Sequence, residues 1–467
     1  MESPKIFFAH LREMTERFDP RYVAFRRRTA EFRYPMVRLS ELLSALPEYG
    51  AGEAGIERTN IKQPRYIRIT DINDDGELSP ELGATAETVE AKYFLSDGDL
   101  LFARSGATVG KCYLHEKSRV EYPCFYAGYM IRIRLKPCIL PKYVFAFTQT
   151  SYYREWVASV QRAAGQPNIN AQEYCSLRLP LPPIDVQERL VAELDAACVV
   201  KRKADEKAAE LLASIDDIVL DVLGIPPIPP VDISLAARIF MVSAREVADE
   251  RLDAYYHQDY FRKIAKTIAI DDRTMCLGKI GNFVRGVTYS ADDEENDGFA
   301  VLRANNVSLE TGEIDLTDLV HVRRDLCFDR AQRICSGDIL ICVASGSKEH
   351  AGKVAYVEDD LDDAFAGGFM TILRVKESVA MPKYVAVYMQ SQIFRRLILR
   401  HLGGTNINNV SLGMLNALPI IVPSNDEQEE IVAKVTSIRA TAKSLKSDAQ
   451  SALVSAKKRI ESEIIGE

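Results

Sequence analysis

The sequence lacks the patterns that identify a secreted, membrane-embedded or metal-binding protein. Its nine cysteines form no CxxC pair, so neither a zinc knuckle nor a disulfide framework is indicated. No apolar stretch approaches the ~18 residues that a membrane span requires, and the first residues, MESPKIFFAH, lack the apolar core of a secretory signal. We therefore expect a cytoplasmic protein with reduced thiols and no membrane association.

Catalytic motifs are also missing. The six histidines form neither an HxxxH nor an HExxH pair. The segment SGATVGK, from Ser105 to Lys111, is similar to a phosphate-binding loop, but its glycines are too close together and a cysteine follows Lys111. No GxGxxG, GxSxG, (N/D)PP(F/Y) or PD…ExK motif is present. The sequence therefore predicts a recognition protein, not an enzyme, with no catalytic residue, metal or cofactor in this chain.

What the chain does contain is an internal repeat. Its 467 residues are too many for one ordinary core. Five segments recur in the same order at offsets of 234 to 241 residues, and chance similarity would not preserve that order. The paired segments are ERFDPRY and ERLDAYY, IRITDI and LRANNV, SDGDLLFARSG and CSGDILICVASG, LPKYVFAFTQTSYYR and MPKYVAVYMQSQIFR, and GQPNIN and GGTNIN.

Each half of the chain has the pattern of a mixed α/β unit. Short aliphatic runs bounded by glycine and proline predict strands, namely DLLFA, GYMIRIRL and RLPLP in the first half and DILICVA, GFMTILRV and LPIIVP in the second. The segment PKYVFAFTQTSYYREWVASV and its counterpart have helical periodicity. The predicted fold class is α+β, with two repeated globular domains.

A long helix closes each half. Asp185 with Glu188, and Asp426 with Glu429, have the spacing of a capping box. The apolar positions that follow repeat every three or four residues, which is typical of a coiled-coil seam. We predict that the two helices pair with each other; packing of each helix on its own domain is the alternative. The predicted boundaries are domain 1 at 1–183, spacer helix 1 at 184–224, domain 2 at 225–423 and spacer helix 2 at 424–467.

Positive charge gathers late in each repeat, although the whole chain carries −8. Residues 131–183 have seven basic and two acidic side chains, and residues 371–423 have six and one, so each segment has a net charge of +5. A locally basic face can bind a phosphate backbone, although such charges also occur on ordinary solvated surfaces.

The doubled motifs resemble those of the specificity (S) subunit of type I restriction–modification systems. The recurring features are GDLLFARSG…GK, PKYV, G(Q/G)xNIN and the Gln-Glu helix start, and the resemblance covers essentially the whole chain. It implies two target-recognition domains that each read one half of a split double-stranded DNA site, joined by two antiparallel helices. It also implies two methyltransferase (M) subunits that use S-adenosylmethionine on adenine, and restriction (R) subunits that use ATP and Mg. Those cofactors are expected on the partners.

We predict DNA contacts from three kinds of position. The glycine loops after DLLFA and DILIC offer small, hydroxyl and cationic residues; the NIN motifs offer amides; and one arginine in each repeat occupies an equivalent strand position. The residues are Arg68, Arg104, Ser105, Thr108, Lys111, Asn168, Asn170, Arg303, Ser345, Ser347, Lys348, Lys353, Asn406 and Asn408. The alternatives are an ordinary polar hairpin for the loops and turn capping for the asparagines.

The Gln-Glu pairs at the helix starts are predicted to fix those starts and to dock the methyltransferase. They are Gln187, Glu188, Gln428 and Glu429. Two other functions remain open: a self-contained DNA-modifying enzyme with a cryptic active site, and a protein-binding adaptor with no DNA role.

Overall fold

The chain folds into two compact units. The computed structural model describes residues 19–27, 32–79, 82–161, 167–228, 232, 234, 236–248, 251–346, 350–402 and 408–465. Unit 1 comprises Met1–Ala204 together with Lys446–Glu467, and unit 2 comprises Asp205–Leu445. The units therefore divide both long helices and do not end where those helices begin.

Unit 1 contains two four-stranded sheets. The first is antiparallel, with the spatial order Glu48–Tyr49, Met130–Ile133, Leu100–Ala103 and Cys112–Leu114. The second has the order Ile56–Glu57, Ala84–Thr85, Arg65–Ile67 and Cys124–Tyr126, with its last two strands parallel. The strand Met36–Arg38 pairs with Arg178–Pro180, immediately before the first long helix.

Unit 2 repeats this topology. Its antiparallel sheet has the order Gly281–Arg285, Met370–Val375, Ile339–Cys342 and Val354–Tyr356. A second sheet has the order Val320–Val322, Glu294–Leu302 and Ala364–Ala366, again with a parallel pair. Two short antiparallel pairs complete the described strands: Thr274–Cys276 with Pro419–Ile421, and Ala344–Ser345 with Asn408–Asn409. Each predicted strand segment contains a strand.

The helices cover these sheets. Before its long helix, unit 1 has Pro20–Arg27, Pro141–Phe147, Ser151–Val160 and Ala171–Cys175. Unit 2 has Ala244–Ala248, Asp259–Ala269, Leu277–Ile280, Pro382–Gln390, Gln392–His401 and Leu412–Ala417. The predicted helical segment 141–160 is divided in two, because the Thr150 side chain accepts a hydrogen bond from Tyr153 N and starts a new helix.

The first long helix is Ile184–Leu223 and the second is Asn425–Ile465. Their buried positions coincide at an offset of 241 residues, in the pairs Leu190/Ile431, Leu194/Val435, Ala208/Ala449, Val219/Ile460 and Leu223/Ile464. The repeat therefore extends through the helices. No helix among the described residues is long and apolar enough to cross a membrane.

The two long helices pair within unit 1. Arg189 contacts Glu463 and Arg459 contacts Glu193, so the residue numbers rise along one helix as they fall along the other. This confirms the antiparallel arrangement. Both helices also pack on the first domain, because Leu190, Leu194, Leu453, Ile460 and Ile464 belong to the same core as Tyr143 and Trp156. In unit 2, Val219, Leu223, Ile431 and Val435 likewise join one core with Tyr384.

The predicted capping boxes at the starts of the long helices are wrong. The helices begin at Ile184 and Asn425, so Asp185 and Asp426 already lie inside the first turn. In the second helix, Ser424 and Glu427 form the reciprocal pair, in which Ser424 N donates to the Glu427 carboxylate at 2.9 Å and Glu427 N donates to Ser424 Oγ at 3.4 Å.

Candidate nucleic-acid interface

Two motifs that are about sixty residues apart in unit 1 meet beside its first sheet. The strand Leu100–Ala103 leads into Arg104 and Ser105. Ser105 pairs with Asn168 of the NIN motif, and Gly106 N donates a hydrogen bond to Pro167 O at 3.1 Å. The glycine loop and the NIN motif therefore form one local surface.

A tight turn adds an aromatic side chain to this surface. Met130 N donates to Ala127 O at 2.9 Å, which closes the turn, and Arg104 N donates to Tyr129 O at 3.0 Å. The Tyr129 side chain is 64% exposed. The Arg104 guanidinium lies over the Tyr49 ring, 4.8 Å from its centroid. We call Tyr49, Arg104, Ser105, Tyr129 and Asn168 the first cluster.

Unit 2 builds the same arrangement from different side chains. Met370 N donates to Gly367 O at 2.8 Å, and Val343 N donates to Phe369 O at 2.8 Å. The Phe369 ring is 71% exposed. Ala344 and Ser345 pair with Asn409 and Asn408, and exposed Arg285 occupies the strand position that corresponds to Tyr49. The second cluster is Arg285, Val343, Ser345, Phe369 and Asn409.

Both clusters carry groups that suit nucleic acid. Guanidinium, hydroxyl and amide groups can bond to phosphates or base edges, and exposed rings can stack on bases. Sequence reasoning missed Tyr49, Tyr129, Arg285, Phe369 and Asn409. The signal for two of them was present, since an aromatic residue follows glycine in both GYM and GFM.

The predicted NIN equivalence is displaced by three residues. Ile169 N donates to Arg104 O at 2.8 Å, whereas its counterpart Val410 N donates to Val343 O at 2.7 Å. The residues that correspond to Asn168 and Asn170 are therefore Asn409 and Ser411. Asn170 and Ser411 cap equivalent helices, with their side chains accepting from Glu173 N at 2.9 Å and from Met414 N at 3.1 Å. This supports the capping alternative for Asn170.

The structure contradicts a DNA contact for Lys353. This side chain is buried, and its ammonium group donates to Ala304 O at 2.8 Å and Val307 O at 2.9 Å. Burial lowers the pKa of Lys353. Its counterpart Lys111 forms an ion pair with Asp74 at 2.7 Å and lies 3.4 Å from Ile72 O, which corresponds to Val307. Both lysines therefore brace the same internal turn.

The remaining predicted positions divide three ways. The Thr108 hydroxyl oxygen is buried with no hydrogen-bond partner among the described residues, and its contact with DNA stays a prediction. Ser347, Lys348 and Asn406 lie outside the described residues, and of Asn408 only the backbone is described. Ser105, Ser345, Arg104 and Asn168 lie in the clusters, and their contact with DNA stays a prediction.

Arg68 and Arg303 occupy equivalent positions but differ in their partners. Arg68 binds both carboxylate oxygens of buried Asp71, with Nη2–Oδ1 at 2.9 Å and Nε–Oδ2 at 3.2 Å. In unit 2 the corresponding residue is the neutral Asn306, whose Oδ1 accepts from the Arg303 backbone N at 2.8 Å, and Asp318 lies 3.9 Å from the Arg303 guanidinium. The contacts that hold the Arg68 guanidinium within the protein are therefore shorter than the contact between the Arg303 guanidinium and Asp318.

Five basic side chains in the late segments bind groups of the protein itself. Arg132 is buried and donates to Phe94 O at 3.0 Å, and Arg134 Nε binds Asp99 at 3.0 Å. The corresponding Arg374 Nε binds Asp338 at 2.9 Å. Lys142 binds Asp195 at 2.7 Å, and Lys383 binds Glu358 at 2.6 Å. These five charges therefore hold strands and helices of the protein together.

Comparison with known proteins finds relatives of part of this chain. Residues 271–452 match the family described as the type I restriction modification DNA specificity domain. The specificity subunit of the StySPI enzyme from Salmonella potsdam is 33% identical over 177 residues, 37% of this chain and 37% of that protein. The EcoKI specificity subunit of Escherichia coli K12 is 32% identical over 174 residues, 36% of each chain. Part of the chain is therefore similar to type I specificity subunits, with the family match confined to residues 271–452.

The matched segments span little more than a third of the length of these two specificity subunits. Among solved structures, the S subunit from M. genitalium has a TM-score of 0.44 at 11% identity, covering 93% of this chain and 96% of that one. The HsdS subunit from Thermoanaerobacter tengcongensis has a TM-score of 0.34 at 16% identity, covering 93% and 97%.

The two members of each Gln-Glu pair have different environments. Gln187 is 0% exposed; its Oε1 accepts from Leu140 N at 2.9 Å and its Nε2 donates to Pro182 O at 2.9 Å. Gln428 is equally buried and makes the same bonds to Met381 N at 2.8 Å and Pro423 O at 2.9 Å. Neither glutamine is available to a partner. The exposed Glu188 and Glu429 carry the docking hypothesis alone.

No group of histidine, cysteine or carboxylate side chains among the described residues could hold a metal ion. The described cysteines form no disulfide.

Proposed function

We propose that this chain is the DNA-recognition subunit of a type I restriction–modification complex, and that each unit reads one half of a bipartite site. The observation that carries the proposal is the recurrence of one surface in two units. The backbone frame is the same in both, while Tyr49 and Arg104 are replaced by Arg285 and Val343. A shared frame with different side chains would position two half-sites equally and read them differently.

The similarity to specificity subunits of type I restriction enzymes supports the choice of partners. Two methyltransferase subunits would dock at the two equivalent helix starts, with Glu188 and Glu429 exposed on each. S-adenosylmethionine would bind to those subunits, and ATP and Mg to the restriction subunits that complete the endonuclease. This chain would contribute recognition without catalysis.

Mapping of methylated adenines tests the function. The chain is expressed with its methyltransferase in cells that have no other adenine methylation, and the modified sites are read genome-wide. We expect one split motif with two specified half-sites. Methylation without sequence preference would contradict the proposal, and methylation by the purified chain alone would favour the self-contained enzyme.

Arg104→Ala assigns the first cluster to one half-site. If the guanidinium binds a base edge, specificity relaxes at one position of a single half-site; if it binds a phosphate, affinity falls uniformly and the salt slope drops by about one. Lys117→Ala, at an exposed position outside the cluster, is the matched control. Unchanged affinity, specificity and salt slope for Arg104→Ala would remove the first cluster from the interface.

A further inference from the structure

The exposed aromatic side chains of this protein are concentrated in the two clusters. Among the described residues, three aromatic side chains are largely exposed: Tyr49 at 43%, Tyr129 at 64% and Phe369 at 71%. All three belong to a cluster. Single exposed apolar residues are ordinary on protein surfaces. Such scatter does not explain why these three exposed rings all lie in the repeated clusters.

Tyr129 and Phe369 are held on rigid turns. Each ring occupies the third position of a closed four-residue turn, Ala127–Met130 or Gly367–Met370. The next residue, Met130 or Met370, is buried and starts a central strand of the sheet. Because each turn is fixed on both sides, the exposure of its ring is a built feature of the fold.

The ring is kept while its neighbours change. Tyr49 and Arg104 in the first cluster correspond to Arg285 and Val343 in the second, which is a complete change of chemistry. Position 129 changes only from tyrosine to phenylalanine at position 369. A group retained beside variable neighbours fits a contact that does not depend on the base sequence. Stacking is such a contact, because every base has an aromatic face.

We propose that Tyr129 and Phe369 are stacking residues, each ring packing against a base of its own half-site in the bound duplex. Such a ring would unstack a base step and anchor the unit, while the variable neighbours read the adjacent base edges. The inference rests on the proposed DNA function and deepens it, by naming the residues that act on both half-sites alike.

The test pairs ring removal with base removal. Affinity is measured for the complete complex with its methyltransferase, on the mapped site and on duplexes that each lack one base of a half-site. On the intact site we expect Tyr129→Ala and Phe369→Ala each to weaken binding roughly tenfold. Tyr129→Phe should bind like the wild type, since Phe369 shows that the hydroxyl is dispensable.

The base that stacks on each ring is identified by the duplex on which the effects of removing the ring and removing the base do not add. For Tyr129→Ala, the loss of affinity should vanish on the duplex that lacks one particular base of one half-site, and for Phe369→Ala on a duplex altered in the other half-site. Val200→Ala and Met241→Ala remove apolar side chains that are 53% and 94% exposed outside the clusters, and should bind normally.

Two outcomes overturn the inference while leaving the proposed function intact. One is wild-type affinity for the alanine variants; the other is a loss of affinity that persists at every abasic position. A wild-type complex that prefers no split site over random duplex overturns the proposed function, and the stacking inference with it.

Discussion

At the residue scale, side chains at the same place in the two repeats show which roles can be predicted from residue type alone. Lys111 and Lys353 stand at the same place in the repeat, and both reach the carbonyl of a corresponding residue, Ile72 or Val307. A lysine in a glycine loop predicts a phosphate contact only if its side chain is exposed. Burial depends on how distant segments pack, so the sequence could not distinguish the two roles.

The glutamines at the helix starts show the same limit. A Gln-Glu pair repeated in the first turns of two helices indicated a common role, and the structure gives different roles to its two members. Gln187 is an internal bridge and Glu188 faces outward.

Gln187→Ala should destabilise unit 1 by about 2–4 kcal/mol, because it leaves Leu140 N–H and Pro182 C=O without their partner inside the protein. Glu188→Ala, the matched control, should change the unfolding free energy by less than about 1 kcal/mol. The single tryptophan, Trp156, is buried in the core of unit 1, so urea unfolding followed by its fluorescence reports on this unit. Equal stability of both variants would contradict the bridging role.

His401 should make the stability of unit 2 depend on pH. Burial, with the nearby Arg400 and Arg251, lowers the pKa of His401 to about 4. In the unfolded chain its pKa is about 6.5, so between these values the unfolded state binds more protons and stability falls as the pH falls.

Circular dichroism would follow urea unfolding of the wild type and His401→Asn from pH 7 to pH 4. The variant should lose part of the decrease in stability between about pH 6.5 and pH 4. Identical pH profiles would show that this histidine does not titrate differently on folding.

At the scale of elements, the sequence predicted most of the architecture. Strand runs, the repeat and two long helices were visible, because apolar periodicity and turn residues are local signals. The helix that begins after Thr150 was missed. The Ser424–Glu427 cap was also missed, because Asp426 and Glu429, two residues further along the chain, have the same spacing. The three-residue shift of the NIN motif arose because GGTNIN matched GQPNIN better than the structurally equivalent NVS did.

The last part of the second long helix should contribute to the stability of unit 1. Ile464 is 0% exposed in the core of unit 1, whereas Val454 on the same helix is 40% exposed. Ile464→Ala should therefore destabilise unit 1 by about 2–5 kcal/mol, and Val454→Ala by less than about 1 kcal/mol. Trp156 fluorescence during urea unfolding measures both. A core substitution that is no more costly than the surface one would mean that the helix does not complete this unit.

At the scale of the whole molecule, each compact unit contains one segment of both long helices. Unit 1 uses residues 446–467, which the sequence places at the far end of the chain. The sequence indicated pairing of the helices, but it could not show which domain each half would cover.

A fragment of residues 1–224 should therefore dimerise. It lacks 446–464 but retains the repeat-equivalent segment 205–223, in which Val219 and Leu223 replace Ile460 and Ile464. A second copy can supply this segment to the exposed core. Light scattering should show a dimer. A monomer whose Trp156 fluorescence matches that of the full chain would contradict the prediction.

The central proposal is that the two units read two half-sites. Because each long helix runs along the chain from one unit into the other, we infer that the length of the helices sets the distance between the two half-sites. Lengthening both helices tests it most directly, by inserting four helix-forming residues after Ala204 and four after Leu445, the boundaries of the compact units. Each insertion adds about one turn, roughly 6 Å, which is at most about two base pairs. Mapping of methylated adenines in cells that carry this variant should show both half-sites unchanged and the gap between them longer by one or two base pairs. An active variant with the original gap, or with altered half-sites, would contradict the account.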